Sequence, residues 1–329
     1  MIHGYIRLKI HTLYVFKISA FWILFFLYPI SAQENAPFAE SNRNSNPSVL
    51  FIGNSFTYGA CSAVQFYRTD FVTDLNRNGW GGVPSLFKAF TIQAGVNYEV
   101  YHEVIPGSNL DRHLREKAEL LSKPWDKVVM HGFSTLDRKN PGNPSLLIRM
   151  AGELSQLLYK QNKSVEIYVE ATWSRADQTY LNSGHWYGES IYQMAKDVRL
   201  GYDQAAVASP LIKGVIPVGE SWNRAIQTGI ADANPYDGVG FNQISLWAHD
   251  HYHGSTYGYY LAALIIFGEL TGLDPRSLGK GERSAFELGV SQSQAAALQQ
   301  VAFDELSSSN STYKGTGFKA LSLKRSGAP

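Results

Sequence analysis

The sequence predicts an α/β protein, a three-layer α/β/α sandwich around a central five-stranded parallel sheet. Short runs of β-branched and aromatic residues alternate with longer amphipathic stretches, a pattern typical of parallel strands joined by crossover helices. The 329 residues are 44% hydrophobic and 17% charged, so the chain can bury a full core and does not have the composition of a disordered protein. No internal repeat interrupts this alternation.

The hydrophobic runs give the elements in order. Strands are predicted at 49–52, 98–105, 127–131, 165–171 and 214–218. Helices are predicted at 83–93, 110–121, 145–161, 188–209, 221–228 and 257–270, with a last helix between 288 and 306. Two aromatic-rich segments, 59–82 and 173–187, exceed what a minimal sandwich needs. Each follows the carboxyl end of a strand, where open parallel sheets bind ligands, so we expect them to form pocket walls.

The first 32 residues have the pattern of an export signal. Arg7, Lys9 and Lys17 precede or flank an apolar run, and small residues up to Ala32 offer a cleavage site. We expect cleavage after Ala32, no stable membrane insertion afterwards, and a periplasmic or extracellular location. The alternative is an uncleaved anchor, but the run is shorter than the ~20 apolar residues of a spanning helix.

One folded domain is therefore predicted. Its bounds are 48–306, preceded by the signal peptide at 1–32 and a polar linker at 33–47, and followed by a polar tail at 307–329. The mature part is about neutral, with 26 basic against 28 acidic residues, which argues against nucleic acid as the main partner. Cys61 is the single cysteine, so no intrachain disulfide can form, and we expect no zinc site built from cysteines.

A candidate nucleophile follows the first strand. The sequence Gly53-Asn54-Ser55-Phe56-Thr57 is a turn that presents Ser55 at the carboxyl edge of the sheet. A serine hydroxyl needs a neighbouring base and preorganised donors for the oxyanion that it forms. Asp250 and His253 are three residues apart, a spacing at which a carboxylate can hold one ring nitrogen and leave the other for Ser55.

These two motifs together resemble the SGNH hydrolase superfamily, also called the GDSL esterases and lipases. The first is similar to a branch that carries Gly-Asn-Ser-Phe-Thr in place of Gly-Asp-Ser-Leu. The segment 253–263 resembles that branch's His-Pro-Ser-x-x-Gly-x-Tyr-Leu-Ala-Ala ending, with Gly254 where proline is usual. The resemblance spans about 49–272, and it implies a flavodoxin-like fold, serine esterase activity and no cofactor.

The resemblance also implies roles for single residues. Ser55 would be the nucleophile, His253 its base and Asp250 the residue that orients the base. The oxyanion would be bound by the N–H groups of Ser55 and Gly107 and by a third donor, which in the family is an asparagine. Ser134 stands in that place, and losing one donor costs roughly 2.7–4 kcal/mol without abolishing catalysis. The Ser134 hydroxyl, Asn109 or a residue from elsewhere would then replace it.

The substrate is expected to be a small-molecule or carbohydrate ester. Export of the protein and the aromatic-rich segment 173–187 favour O-acetyl groups on a carbohydrate. Trp173 and Trp186 suit stacking on sugar rings, as do Tyr180 and Tyr187, with Trp80 as a further candidate. Asn109 is expected to contact substrate as well. We therefore predict an exported serine hydrolase of carboxylic esters with no bound metal.

Several alternatives stay open on sequence alone. Ser55 could cap a helix, and Asp250 and His253 could be ordinary turn residues. Cys61 is a rival nucleophile, and Ser221 another, although Gly219-Glu220-Ser221-Trp222-Asn223 lacks the closing glycine of a nucleophile elbow.

Two other function classes compete with the esterase. On an extended segment His249, His251 and His253 would share one face, so with Asp250 they could form the zinc site of a metal-dependent hydrolase. A non-catalytic carbohydrate-binding protein of the same fold would use the aromatic residues alone.

Overall fold

One parallel sheet forms the centre of the molecule. Its strands are β1 (Ser48–Gly53), β2 (Thr73–Asp74), β3 (Glu99–Val104), β4 (Lys127–Met130), β5 (Glu166–Ala171) and β6 (Ile212–Pro217). They lie in the order β2-β3-β1-β4-β5-β6, and every neighbouring pair is parallel. The sheet thus has six strands rather than the predicted five. The additional strand, β2, has two residues at the sheet edge, too few to leave an alternating pattern in the sequence.

The structure, a computed structural model, describes residues 46–308. The predicted signal peptide, nearly all of the linker and the tail beyond residue 308 lie outside the described residues. Within the described range no helix combines the length and the apolar character that crossing a membrane requires.

The helices pack on both faces of the sheet. They are α1 (Gly82–Gln93), α2 (Leu110–Leu121), α3 (Ser145–Gln161), α4 (Ala176–Tyr180), α5 (Ile191–Ala208), α6 (Val218–Gln227), α7 (Thr256–Thr271), α8 (Arg283–Glu287) and α9 (Gln292–Ser307). The bounds of α2 and α3 are as predicted. Helix α5 begins three residues later than predicted, because Ser190 caps it by accepting a hydrogen bond from the Tyr192 N–H. The five-residue helices α4 and α8 were not predicted.

Alternate residues of β1 face opposite layers, which confirms the three-layer sandwich. Val49 and Phe51 pack in the hydrophobic cluster that includes α1, α6, α7 and α9, whereas Leu50 and Ile52 pack in the cluster with α2, α3 and α5. Both faces of the strand are buried, so it reads as a continuous apolar run. Helix α7 is enclosed by α1, α6 and α9, and each residue of 258–270 is buried.

The central strands end at the same level. Gly53 of β1 pairs with Val104 of β3, and Ile52 pairs with Met130 of β4. The loops that follow β1, β3 and β4 therefore leave the sheet side by side, at the edge where parallel α/β proteins bind their ligands.

Glu170 in β5 predicts a pH dependence of stability. Burial raises the pKa of its carboxyl group from 4.5 to about 8. Between those two pH values the folded protein keeps a proton that the unfolded chain has lost, so the stability falls as the pH rises. Glu170→Gln has no proton to lose. From pH 5 to pH 9 we expect its free energy of unfolding to gain roughly 2–5 kcal/mol relative to the parent, measured by urea denaturation.

The matched control is Glu189→Gln, at an exposed position. It should leave the pH dependence of the parent unchanged. Parallel stability profiles for Glu170→Gln and the parent would contradict a buried carboxyl with a raised pKa.

Candidate active site

The turn after β1 presents Ser55 without placing it at a helix start. The N–H groups of Thr57 and Tyr58 donate to the Asn54 carbonyl at 3.0 and 3.2 Å, and the Ala60 N–H donates to the Ser55 carbonyl at 3.0 Å. The next helical segment, a 3-10 helix at Ala63–Phe66, is capped by Ser62. Ser55 is 6% exposed and caps no helix, so the capping alternative is wrong.

Gly53 is required by a close approach of side chains. A Cβ atom at this position would lie 2.1 Å from Thr57 Oγ1 and 2.5 Å from His131 Nε2. The Thr57 hydroxyl and His131 Nε2 are 2.7 Å apart, and His131 Nδ1 lies 3.0 Å from the Gly132 carbonyl. Burial lowers the pKa of His131 to about 4, so the ring is neutral: Nδ1 donates to Gly132 and Nε2 accepts from Thr57.

Asn54 links three loops. Its side-chain nitrogen donates to the Ser108 carbonyl at 3.1 Å and to the Gly132 carbonyl at 3.0 Å. Its side-chain oxygen accepts from the Phe56 N–H at 3.1 Å. Because the three partners follow β3, β4 and β1, one buried amide fixes the spacing of the loops around Ser55.

A buried polar chain supports the loop after β3. The Ser108 hydroxyl donates to the Ile105 carbonyl at 2.8 Å and lies 2.7 Å from His113 Nε2. The other ring nitrogen of His113 is hydrogen-bonded to Glu103, and both of these side chains are fully buried. The serine–histidine–glutamate order resembles a catalytic triad, but the Ser108 hydroxyl is already directed at a backbone carbonyl. This chain therefore anchors the segment that carries Gly107.

Asp250 and His253 form the predicted pair. His253 Nδ1 lies 2.6 Å from Asp250 Oδ2, and Asp250 Oδ1 accepts the N–H groups of Tyr252 and His253 at 3.1 and 3.0 Å. Burial raises the pKa of the carboxyl, but these hydrogen bonds outweigh burial and lower it to about 2. The ionised Asp250 holds the proton on Nδ1. The other nitrogen, Nε2, is buried and has no hydrogen-bond partner in the described part of the chain.

The segment after β1 contacts this pair. The Phe56 ring meets the His253 ring edge-on, with ring centroids 5.7 Å apart. Tyr259 in α7, the helix that begins three residues after His253, donates to the carbonyls of Ser55 and Ala60 at 3.4 and 3.0 Å. Ser55 and His253 thus belong to the same edge of the sheet. Between residues 46 and 308 the Ser55 hydroxyl makes no hydrogen bond in this structure, to His253 or to any other residue.

Gly107 and Ser134 lie in the loops after β3 and β4. Gly107 has a φ of 61°, a left-handed conformation that suits glycine, and its carbonyl accepts from Arg138 Nη2 at 2.7 Å. Ser134 is buried, and its Oγ accepts from Arg175 Nη1 at 3.2 Å.

Arg175 is the residue of the site that sequence reasoning missed. Besides its bond to Ser134, its guanidinium forms an ion pair with Asp177 and lies 3.7 Å from the centroid of the Tyr252 ring. The Tyr252 ring in turn lies 4.0 Å from that of His253. The aromatic-rich segment 173–187 was the only sequence feature that pointed to this part of the site, and it does not identify an arginine.

The three residues predicted to bind substrate have other roles in the structure. The Asn109 side chain caps α2 by accepting from Leu110 N–H, and it also bonds Phe133 N–H and the Leu136 carbonyl. Trp173 is fully buried between the rings of Phe56 and Trp222. Trp186 is buried with its Nε1 donating to Asp197. Neither indole has an open face for a sugar, so the predicted stacking by Trp173 and Trp186 does not fit this structure, and neither does a free amide at Asn109.

The histidine cluster of the alternative metal-site hypothesis does not assemble. His249 is exposed, and His251 has a φ of 57° and packs against the Tyr236 ring at 4.3 Å. In the described part of the chain, the group whose donor atoms could share a metal ion is instead Cys61, Asp250 and His253. The zinc site proposed from His249, Asp250, His251 and His253 therefore has no geometric basis.

The two rival nucleophiles are poorly placed. Ser221 is fully buried inside α6, where its hydroxyl donates to the Val218 carbonyl at 2.7 Å. Cys61 lies beside the Asp250–His253 pair, with Sγ 3.6 Å from His253 Nδ1 rather than on the Nε2 side. Burial, and then the charge of Asp250, raise the pKa of its thiol, which keeps it protonated.

Comparison with known proteins gives the fold. No protein-family model and no curated protein sequence matches the chain. Among solved structures, a DUF4886 family protein from Bacteroides uniformis ATCC 8492 is 18% identical, with a TM-score of 0.53 over 80% of this chain and 95% of that one. A protein named as a GDSL-like lipase from Parabacteroides merdae ATCC 43184 is 18% identical, with a TM-score of 0.49 over 69% of this chain and 96% of that one.

The psychrotrophic esterase EstA from Pseudoalteromonas sp. is 10% identical, with a TM-score of 0.45 over 69% of this chain and 98% of EstA. Of these three structures, the DUF4886 family protein has a TM-score above 0.5, and the chain shares its fold. At these identities the likeness is one of fold.

Asn54→Ala should loosen the site and destabilise the fold. The substitution removes three hydrogen bonds and leaves two carbonyls and one N–H without their partner, which we expect to cost about 2–4 kcal/mol. Thermal unfolding followed by circular dichroism measures the loss. The control, Asn182→Ala, changes an exposed asparagine and should stay within about 0.5 kcal/mol of the parent. Equal melting temperatures for the two variants would contradict a linking role for Asn54.

Proposed function

We propose that the protein is a serine hydrolase that cleaves carboxylic esters through an acyl-enzyme. The observation that carries the proposal is the 2.6 Å hydrogen bond between Asp250 and His253, which leaves Nε2 unpartnered at the edge of the sheet that carries Ser55. The aromatic contact between Phe56 and His253 supports the approach of the two segments. In this proposal, substrate binding brings the Ser55 hydroxyl and Nε2 into hydrogen-bond contact, since such bonds tighten in the Michaelis complex.

The proposed reaction has two halves. His253 Nε2 takes the proton of Ser55 as the hydroxyl attacks the ester carbonyl, and Asp250 stabilises the imidazolium that forms. The imidazolium returns the proton to the leaving alcohol, which yields the acyl-enzyme. Water then attacks the acyl group, with His253 again as the base, and free acid and Ser55 are regenerated.

Three donors are proposed for the oxyanion: the N–H groups of Ser55 and Gly107 and the hydroxyl of Ser134. The contact with Arg175 supports the third donor. Because Ser134 Oγ accepts a hydrogen bond from the guanidinium, its own proton is free to point elsewhere, and the positive charge makes the hydroxyl a stronger donor. A serine backed by an arginine would thus replace the asparagine that the family carries.

For the alcohol part of the substrate we propose a carbohydrate that carries O-acetyl groups, in a protein that is exported. Trp173 and Trp186 are buried. In the aromatic-rich segment 173–187, Tyr187 is then the residue best placed for stacking on a sugar, since 59% of it is exposed. Hydrolysis of acetylated xylan alongside p-nitrophenyl acetate distinguishes this class from simple acyl esters.

Ser55→Ala tests the nucleophile. We expect turnover of p-nitrophenyl acetate to fall by three orders of magnitude or more with the fold intact, because the proposed reaction takes its attacking oxygen from Ser55. A fluorophosphonate should label the parent and not the variant, read by intact-mass spectrometry.

Ser221→Ala is the matched control. It removes the hydroxyl of the rival serine in α6 and should keep both turnover and labelling. Retention of more than about a tenth of parental activity in Ser55→Ala would exclude the proposed nucleophile.

Ser134→Ala should lower kcat by about 10²-fold with little change in KM, since an oxyanion donor acts in the transition state. Arg175→Gln should lower kcat less than Ser134→Ala does. If Arg175 acts through Ser134, the double variant loses less than the product of the two single losses.

Arg149→Gln, at an exposed position, controls for the loss of one positive charge. Strictly multiplicative losses in the double variant would show that Arg175 does not act through Ser134.

A further inference from the structure

Three different donor atoms meet beside the Asp250–His253 hydrogen bond. Cys61 Sγ lies 3.5 Å from Asp250 Oδ2 and 3.6 Å from His253 Nδ1, and the two latter atoms are 2.6 Å apart. The proposed ester hydrolysis uses the pair but not the thiol. A thiol, an imidazole nitrogen and a carboxylate oxygen are the three protein ligands that zinc prefers.

Two of the three distances match a tetrahedral ion. With Zn–S of about 2.3 Å and Zn–N and Zn–O of about 2.0–2.1 Å, two ligands of a tetrahedral zinc lie roughly 3.5 Å apart when one of them is sulfur. Both distances from Cys61 Sγ have that value. The oxygen–nitrogen pair would have to open to roughly 3.3 Å, because it is now drawn together by the proton that the two atoms share.

The surroundings fit an ion that arrives from solvent. Cys61 is exposed, which gives an entry path, and three protein ligands leave the fourth position of the ion for water. The second oxygen of Asp250 is held by the N–H groups of Tyr252 and His253, so one carboxylate oxygen stays directed at the site.

We propose that Cys61, Asp250 and His253 form a zinc site that inhibits the enzyme. Zinc replaces the thiol proton, which is released to solvent, and binds the lone pair of His253 Nδ1. The neutral ring must then carry its proton on Nε2. In that tautomer Nε2 cannot accept a proton from Ser55, and Asp250 no longer orients the ring. The binding of the ion is independent of the proposed esterase activity, whereas the inhibition rests on it.

Binding is tested with Co²⁺ as the probe on the purified protein. Since Cys61 is the single cysteine, a near-ultraviolet thiolate-to-cobalt absorption band reports this site alone. We expect the band in the parent and in His249→Ala, which removes a nearby exposed histidine. It should be lost in Cys61→Ser and weakened at least about tenfold in apparent affinity in Asp250→Asn. No band in the parent, or an unchanged band in Asp250→Asn, would overturn the site.

Inhibition is tested by titrating Zn²⁺ into the hydrolysis of p-nitrophenyl acetate. Cys61→Ser should keep the metal-free rate and need at least about tenfold more zinc for half inhibition, whereas His249→Ala should behave like the parent. The same zinc sensitivity in Cys61→Ser would overturn the inhibitory role. A parent protein without hydrolysis would instead refute the esterase, and the cobalt titration would still decide the site.

Discussion

The arrangement of the site depends on the side-chain amide of Asn54. The amide is buried at the end of β1 and bonds to the loops that follow β3 and β4 as well as to its own turn. Loops have few buried contacts of their own, so their relative position has to be set by specific hydrogen bonds. An aspartate here could accept from Phe56 but could not donate to two carbonyls. This one residue therefore converts three neighbouring strand ends into a fixed set of backbone groups around Ser55.

On the opposite side of the site, both packing and hydrogen bonds hold the residues in place. Helix α7 begins three residues after His253 and is buried along most of its length, and its Tyr259 donates to the Ser55 carbonyl. The segment 249–253 itself is a series of turns, with the His251 N–H bonded to the Ala248 carbonyl and the Ala248 N–H to the His253 carbonyl. The Asp250–His253 pair thus sits on a tight turn that the core holds from behind.

Much of this arrangement follows from the sequence, and the exceptions have physical reasons. Periodicity located five of the six strands and the long helices, since each buries a face of its own. It could not locate β2, whose two residues pair only because β3 is already in place. The alternative metal site required an extended segment that places His249, His251 and His253 on one face. The left-handed backbone conformation of His251 interrupts that segment. The burial of Trp173 depends on stacking against Phe56 and Trp222, residues far away along the chain, and Arg175 reaches Ser134 only because the loops after β4 and β5 meet.

The motif at Ser55 and the pair at Asp250–His253 come from opposite ends of the folded chain, almost two hundred residues apart. A nascent polypeptide that has already formed β1 to β6 still lacks His253. A fragment that ends between Ser55 and Asp250 carries only the serine part of the site. In the proposed esterase, catalytic competence would thus arise only once α7 and α9 complete the core, so the turnover recovered during refolding would measure completion of the whole domain rather than formation of its sheet.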